Sequence, residues 1–280
     1  MPTLKTKSHG YDLESAFEWL RGRARSTIRL HPRIADSLPV NASKVGGEIL
    51  WPSNEVWPHC EKHHSDYVAV LQILSGDLPG ISFSPHADLL QVLWCPNDHE
   101  ECGDCPALKV FWRDAALLLP YPATKLQINA GTKDYLPRQC RLSPETVQEY
   151  PSAALLSQTQ FDELEKWNED GPALYQYSLS VAPGFKVGGY PNWSQEPQIP
   201  TCSCGKEMDY LLTIDSAEFD GGTYERWVPE SEQHVWQAAC EVRNQVQCAA
   251  GLMLGDMGEI NIFVCRVCVP WKHRWVFQCS

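Results

Sequence analysis

Apolar side chains at Leu13, Phe17 and Leu20 recur at helical spacing in an otherwise polar stretch, and Asp12 stands where an N-cap belongs. The pattern predicts a short amphipathic helix over residues 12–20. Beyond it, Ser26-Thr27-Ile28-Arg29-Leu30 alternates as a strand does, until His31-Pro32 interrupts it. Helical spacing returns at Phe161, Leu164 and Trp167, predicting a second helix over residues 157–167. Asn168-Glu169-Asp170-Gly171-Pro172 is its stop signal, and the helix joins two halves of the chain. Four largely apolar runs, at 67–73, 89–95, 210–214 and 259–265, read as strands.

These runs belong to an internal repeat. Lys44-Val45-Gly46-Gly47 recurs as Lys186-Val187-Gly188-Gly189. A Trp/Pro-rich loop follows each copy and leads to cysteine: Trp51-Pro52 through Trp57-Pro58 to Cys60, and Asn192-Trp193 through Ile199-Pro200 to Cys202 and Cys204. Each copy then gives a strand, a spacer, a second strand and a further Cys cluster, so gene duplication is the reading. The copies are 142 residues apart at Lys-Val-Gly-Gly and 170 at the second cluster, which places a longer spacer around residues 215–256 of the second copy. The expected fold is α+β, a largely antiparallel sheet built from two duplicated units, each with a zinc-ribbon-like Cys cluster, plus a few short helices. The expected units are residues 1–150, the N-terminal helix and first repeat, and 151–280, the linking helix and second repeat, within one compact body.

A hydrophobic fraction of 43% with 11 Trp excludes a disordered chain. The start lacks the continuous apolar stretch of a secretory signal, and no run approaches a membrane span, so the expectation is a cytoplasmic protein with no membrane association. In a reducing compartment, twelve cysteines point to metal rather than to disulfides, the alternative that a secreted protein would favour. Cys140, Cys240, Cys248 and Cys279 have no clustered partner and read as buried thiols.

Tetrahedral zinc takes four thiolate or imidazole donors, supplied in pairs by turns at strand ends. The second copy offers Cys202 and Cys204 with Cys265 and Cys268. The first offers Cys60, His63 and Cys95, with Cys105 or Cys102 as the fourth ligand and His64 and His99 as further candidates. Four protein donors at each ion mark structural zinc, one or two ions per chain; a catalytic ion keeps a position open for water.

The formal charge of −12 is concentrated in the second half, where 207–259 carries eleven acids against Arg226 and Arg243. Direct nucleic-acid binding is disfavoured, and a basic partner protein would be attracted. The candidate partner-binding acids are Glu218, Asp220, Glu225, Glu230 and Glu232.

The chain resembles the YwqG-like proteins through Ser43-Lys44-Val45-Gly46-Gly47 with Trp57-Pro58, Cys204-Gly205-Lys206-Glu207-Met208 before Leu211-Leu212-Thr213-Ile214-Asp215, and Leu254-Gly255-Asp256-Met257-Gly258 before Ile262-Phe263-Val264-Cys265. The pair Cys202-x-Cys204 departs from the C-x-x-C of relatives. The resemblance implies an α+β fold with extensive antiparallel sheet and carries over no catalytic residue; some relatives look like immunity partners of bacterial toxins. No phosphate loop, His-Glu-x-x-His or nucleophile elbow is present. The expected function is therefore non-enzymatic: an immunity protein that binds a cognate toxin, nuclease-type with a basic surface. The alternatives are a zinc-stabilised adaptor and a zinc-dependent hydrolase using His63, His64, Asp66 and His99 for acid/base chemistry.

Overall fold

The computed structural model describes residues 4–121, 125–129, 131–170 and 174–279. Its strands, in chain order, are β1 (Arg25–Arg29), β2 (Arg33–Ile34), β3 (Lys44–Val45), β4 (Ile49–Trp51), β5 (His59–Cys60), β6 (Ser65–Asp66), β7 (Val68–Leu74), β8 (Leu89–His99), β9 (Cys105–Arg113), β10 (Leu119–Tyr121), β11 (Cys140–Arg141), β12 (Glu145–Glu149), β13 (Lys186–Gly188), β14 (Asp209–Asp215), β15 (Glu259–Cys265) and β16 (Lys272–Gln278). One six-stranded sheet runs β2-β11-β3-β7-β8-β9 and a second runs β12-β1-β13-β14-β15-β16, with small ribbons β4-β10 and β5-β6. The pairing is antiparallel throughout. Strands β1 and β12, which precede residue 150, complete the sheet of the later strands.

Side-chain alternation decides what each sheet face does. Val92 and Trp94 of β8 enter one core cluster with Ile260, Ile262 and Val264 of β15, so the two sheets pack face to face. The intervening residues point outward: Leu93 and Cys95 join Trp51 and Trp57, while Phe263 and Cys265 join Trp193 and Met208. The register of β7 shifts between Ala69 and Leu71, and that of β14 between Tyr210 and Leu212. A bulge of this kind lets two consecutive residues reach the same side, and both Val70-Leu71 and Leu211-Leu212 lie in the shared core.

The predicted first helix divides in two. Helix α1 (Leu13–Ala16) is capped by Asp12, whose Oδ1 accepts from Ser15 N at 3.1 Å, but Phe17 is extended and Glu18–Leu20 forms a separate 3-10 turn. The break lets Leu13, Phe17 and Leu20 all pack against Leu164, Tyr175 and Leu179. Helix α2 (Gln158–Asp170) buries Leu164 and sets Trp167 edge-on to Phe17 at 5.6 Å, while Phe161 stays 38% exposed. Of its predicted stop signal, Gly171 and Pro172 lie outside the described residues. The acidic spacer holds two further helices, α3 (Tyr224–Trp227) and α4 (Cys240–Gln247). Among the described residues no helix is long and apolar enough to cross a membrane.

Candidate metal centres

Strand β5 ends at Cys60, a turn brings His63 back over it, and β6 leaves at Ser65, paired to Cys60. Strand β8 supplies Cys95 and, after a register shift between Trp94 and Asp98, His99. The donor atoms of Cys60, His63, Cys95 and His99 all lie within 4.8 Å of one another. His63 Nδ1 is 3.5 Å from both Cys60 Sγ and Cys95 Sγ, and Cys60 Sγ is 3.8 Å from His99 Nε2. Glu101 Oε1 lies 2.9 Å from His99 Nδ1, and Lys62 Nζ donates to the other Glu101 oxygen at 3.0 Å. A carboxylate on Nδ1 fixes the tautomer and leaves Nε2 free to ligate. Asn97 Nδ2 faces Cys95 Sγ at 3.7 Å. Burial pushes the Cys95 thiol up to about 11, so an incoming ion must displace its proton.

The fourth member of this group is His99, not Cys105 as the cysteine pattern suggested. Cys105 Sγ donates to Cys102 O at 3.0 Å and contacts Trp275 of β16, away from Cys60. Cys102 is not in the group either. The signal for His99 was parity: Cys95, Asn97 and His99 alternate on one strand and share a face.

The second group draws on a tight turn and a strand end. Cys202 N donates to Lys206 O and Gly205 N to Cys202 O, both at 2.8 Å, and Thr201 bridges Glu207. Gly205 takes φ +83°, a left-handed conformation that closes the turn. Cys265 ends β15 and Cys268 follows it. Cys202 and Cys268 Sγ are 3.8 Å apart, Cys204 and Cys265 Sγ 3.6 Å, and all four sulfurs lie within 4.8 Å of one another. The Cys204 backbone amide holds the Cys202 thiol down at about 6, whereas desolvation pushes Cys268 up. The four cysteines are free thiols.

A third group, His59, Glu61 and His64, is exposed beside the first, with Asp66 Oδ1 2.8 Å from His59 Nδ1. Of the unclustered cysteines, Cys140 is buried as expected, but Cys240 is exposed at the start of α4.

The five candidate partner-binding acids separate. Glu218 is buried and unsuited to a partner: its Oε1 accepts from Phe185 N at 2.9 Å and its Oε2 lies 3.9 Å from Arg29. Glu232 is held by both its oxygens on Arg33. Asp220, Glu225 and Glu230 are exposed, and Asp220 is further fixed by the amides of Gly222 and Thr223, each at 2.8 Å.

No curated protein matches the chain. A family model described as a domain of unknown function, DUF1963, matches residues 43–266, from the first Lys-Val-Gly-Gly to the strand end that carries Cys265. The chain belongs to this family, which includes the YwqG-like proteins.

Proposed function

We propose that the chain is a non-enzymatic binding protein, built by duplication and stapled by two structural zinc ions, that engages a basic partner protein. Neutralising a cognate toxin is the specific role. The observation that carries this reading is closure: each Cys/His group already offers four donors, which leaves no position for substrate or water.

Geometry supports zinc as the ion. A tetrahedron with Zn–S bonds of about 2.3 Å has S···S edges of about 3.8 Å, and mixed S···N edges come to about 3.6 Å. The sulfur pairs of the second group stand at 3.6 and 3.8 Å, and the S···N pairs of the first at 3.5, 3.5 and 3.8 Å. Duplication is supported by position. Leu50 and Asn192, Trp51 and Trp193, and Cys60 and Cys202 each stand 142 residues apart. The missing residue of Cys202-x-Cys204 reduces the spacing to 141 at His63 and Cys204, and Lys44-Gln72 pairs across β3-β7 as Lys186-Thr213 does across β13-β14. A basic partner is favoured by exposed Asp220, Glu225 and Glu230, close together in sequence on a segment anchored from beneath by Arg29 and Arg226.

Elemental analysis of protein purified without chelator should give about two zinc ions per chain; a content near zero sinks the zinc reading. The joint change Asp220→Lys, Glu225→Lys, Glu230→Lys should slow association with a partner captured from the native host and weaken its salt dependence. An unchanged association rate at low salt would move the interface elsewhere. The exposed His59, Glu61 and His64 favour a second reading, an open metal site with hydrolase activity. A hydrolase screen with and without chelator tests it.

A further inference from the structure

We propose that the cavity at the end of β14 and β15 binds a small organic cation, an alkylammonium or guanidinium group carrying a hydrogen-bond acceptor. This inference does not depend on the partner reading.

The cavity has a volume of about 280 Å³, just under the range for drug-sized ligands and suited to a molecule of amino-acid size. Asp215 and Glu259, 8% and 4% exposed, both line it, and they are directly opposed across the two strands. Like charges at opposed positions repel, and burial sharpens the repulsion. The fold offers little to offset it. Asp215 accepts from Gly184 N at 3.0 Å and Ala217 N at 3.1 Å; Glu259 accepts from Asn261 Nδ2 at 3.2 Å and Asn192 Nδ2 at 3.5 Å. Among the described residues no Lys, Arg or His lies within ion-pair distance of either carboxyl. The nearby buried cations are committed elsewhere, Lys186 to Glu149 and Arg29 to Glu218 and the Trp227 carbonyl. Desolvation, reinforced at Asp215 by Glu259, pushes both carboxyls up, Glu259 to about 7 even though Asn261, Lys186 and Asn192 partly oppose it there.

The walls specify the kind of cation. Tyr177, Trp193 and Phe219 line the cavity and give aromatic surface, which attracts organic cations. A magnesium ion held by the two carboxylates would keep several of its waters, so magnesium is the competing occupant that the titration below must exclude. Trp193 is 6% exposed, and its Nε1 has no hydrogen-bond partner. That N–H is closed off as the ring stands, so the ligand's acceptor would reach it only after a small turn of the indole. The same indole stacks on Phe263 at 6.1 Å, in the cluster that holds Cys202 and Cys265, so the second metal centre braces a wall of the cavity.

Isothermal titration calorimetry on the full-length, metal-loaded protein tests the proposal. The probes are argininamide and its neutral isostere citrullinamide, both Nα-acetylated, the pentapeptide Ala-Ala-Arg-Ala-Ala and magnesium chloride. Argininamide should bind and citrullinamide should not. Glu259→Gln should weaken argininamide by about tenfold or more, and Trp193→Phe by a smaller factor. Asp215→Asn provides a second reading should Glu259→Gln not fold, as judged by circular dichroism. Binding of the pentapeptide more tightly than argininamide would support the site and assign its cation to a protein side chain. Silence of both arginine probes up to roughly 10 mM, equal affinity for citrullinamide, binding untouched by either carboxyl change, or displacement of argininamide by magnesium would overturn it.

Discussion

Lys44 and Lys186 open the same four-residue word and are both fully buried, yet their charges meet different company. Lys186 Nζ donates to both oxygens of buried Glu149 at 2.9 Å, while Lys44 Nζ donates to the Pro39 carbonyl at 2.8 Å. Desolvation, partly opposed by Glu48, lowers Lys44 to about 8. Its folded value thus lies below its unfolded one, so the folded chain binds fewer protons in that window. The stability Lys44 provides is present above about pH 10.5 and is lost as the pH falls through about 8. Lys44→Met should therefore be neutral or stabilising at pH 7, with less advantage near pH 10. Lys186→Met strands a buried carboxylate and should cost about 3–5 kcal/mol. Urea denaturation of both variants at the two pH values checks the contrast. The glycines behave similarly. Gly189 has φ +76°, and a Cβ there would lie 2.0 Å from Glu149 Oε1, whereas a Cβ at Gly205, φ +83°, meets nothing. Gly205→Ala should lose only the left-handed preference, about 1–2 kcal/mol, and Gly189→Ala clearly more.

At the scale of elements, each four-donor Cys/His group joins a strand end to the loop that covers its sheet's outer face. In the first, Leu50 is gripped by Gln72 and Gln91; in the second, Asn192 O accepts from Asn261. The ion would close the far end of that loop. Lys62 lies between Cys60 and His63, and Lys206 two residues beyond Cys204, both exposed. Trypsin should spare both bonds in metal-loaded protein and cut them early after chelation, before circular dichroism registers loss of the sheets. Cys105→Ser should leave the protection of Lys62 intact, and Cys95→Ser should abolish it.

The five strands expected, and seven of the eight residues that gather in the two four-donor groups, could be read from local pattern, because apolar runs and close Cys spacing are short-range signals; β9, β12 and β16 were not among them. His99 was one candidate among several, since Cys102 and Cys105 compete with it in the same turn; parity with Cys95 favours it, but only the hairpin's geometry turns Cys105 toward Trp275. The acidic stretch misled for a related reason. Asp215, Glu218 and Glu259 are buried, and the groups that meet Glu218, Arg29 and the Phe185 amide, lie far away in sequence. The broken first helix was equally hidden, because the apolar spacing that suggests one helix is satisfied by two short turns.

For the whole molecule, the two sheets share one core and cross-connect: β1 pairs with β12 and β13, so the sheet holding the four-cysteine group is partly made from β1, the first of the described strands. Loss of either metal group should lower a single cooperative transition instead of splitting it in two. Calorimetry of Cys95→Ser and Cys265→Ser would show one peak each, both below the parent; a separate early transition would mean that the halves unfold independently. The same pairing bears on how the protein is made. Strand β1 leaves the ribosome about 160 residues before β13, roughly 8–30 s at ordinary elongation rates. Through that interval one edge of β1 has no neighbour, and the first sheet must mature against a core whose other half has not been synthesised. A cell producing this chain in quantity would depend on chaperones, or on rapid elongation, to keep that early edge from pairing with another nascent chain.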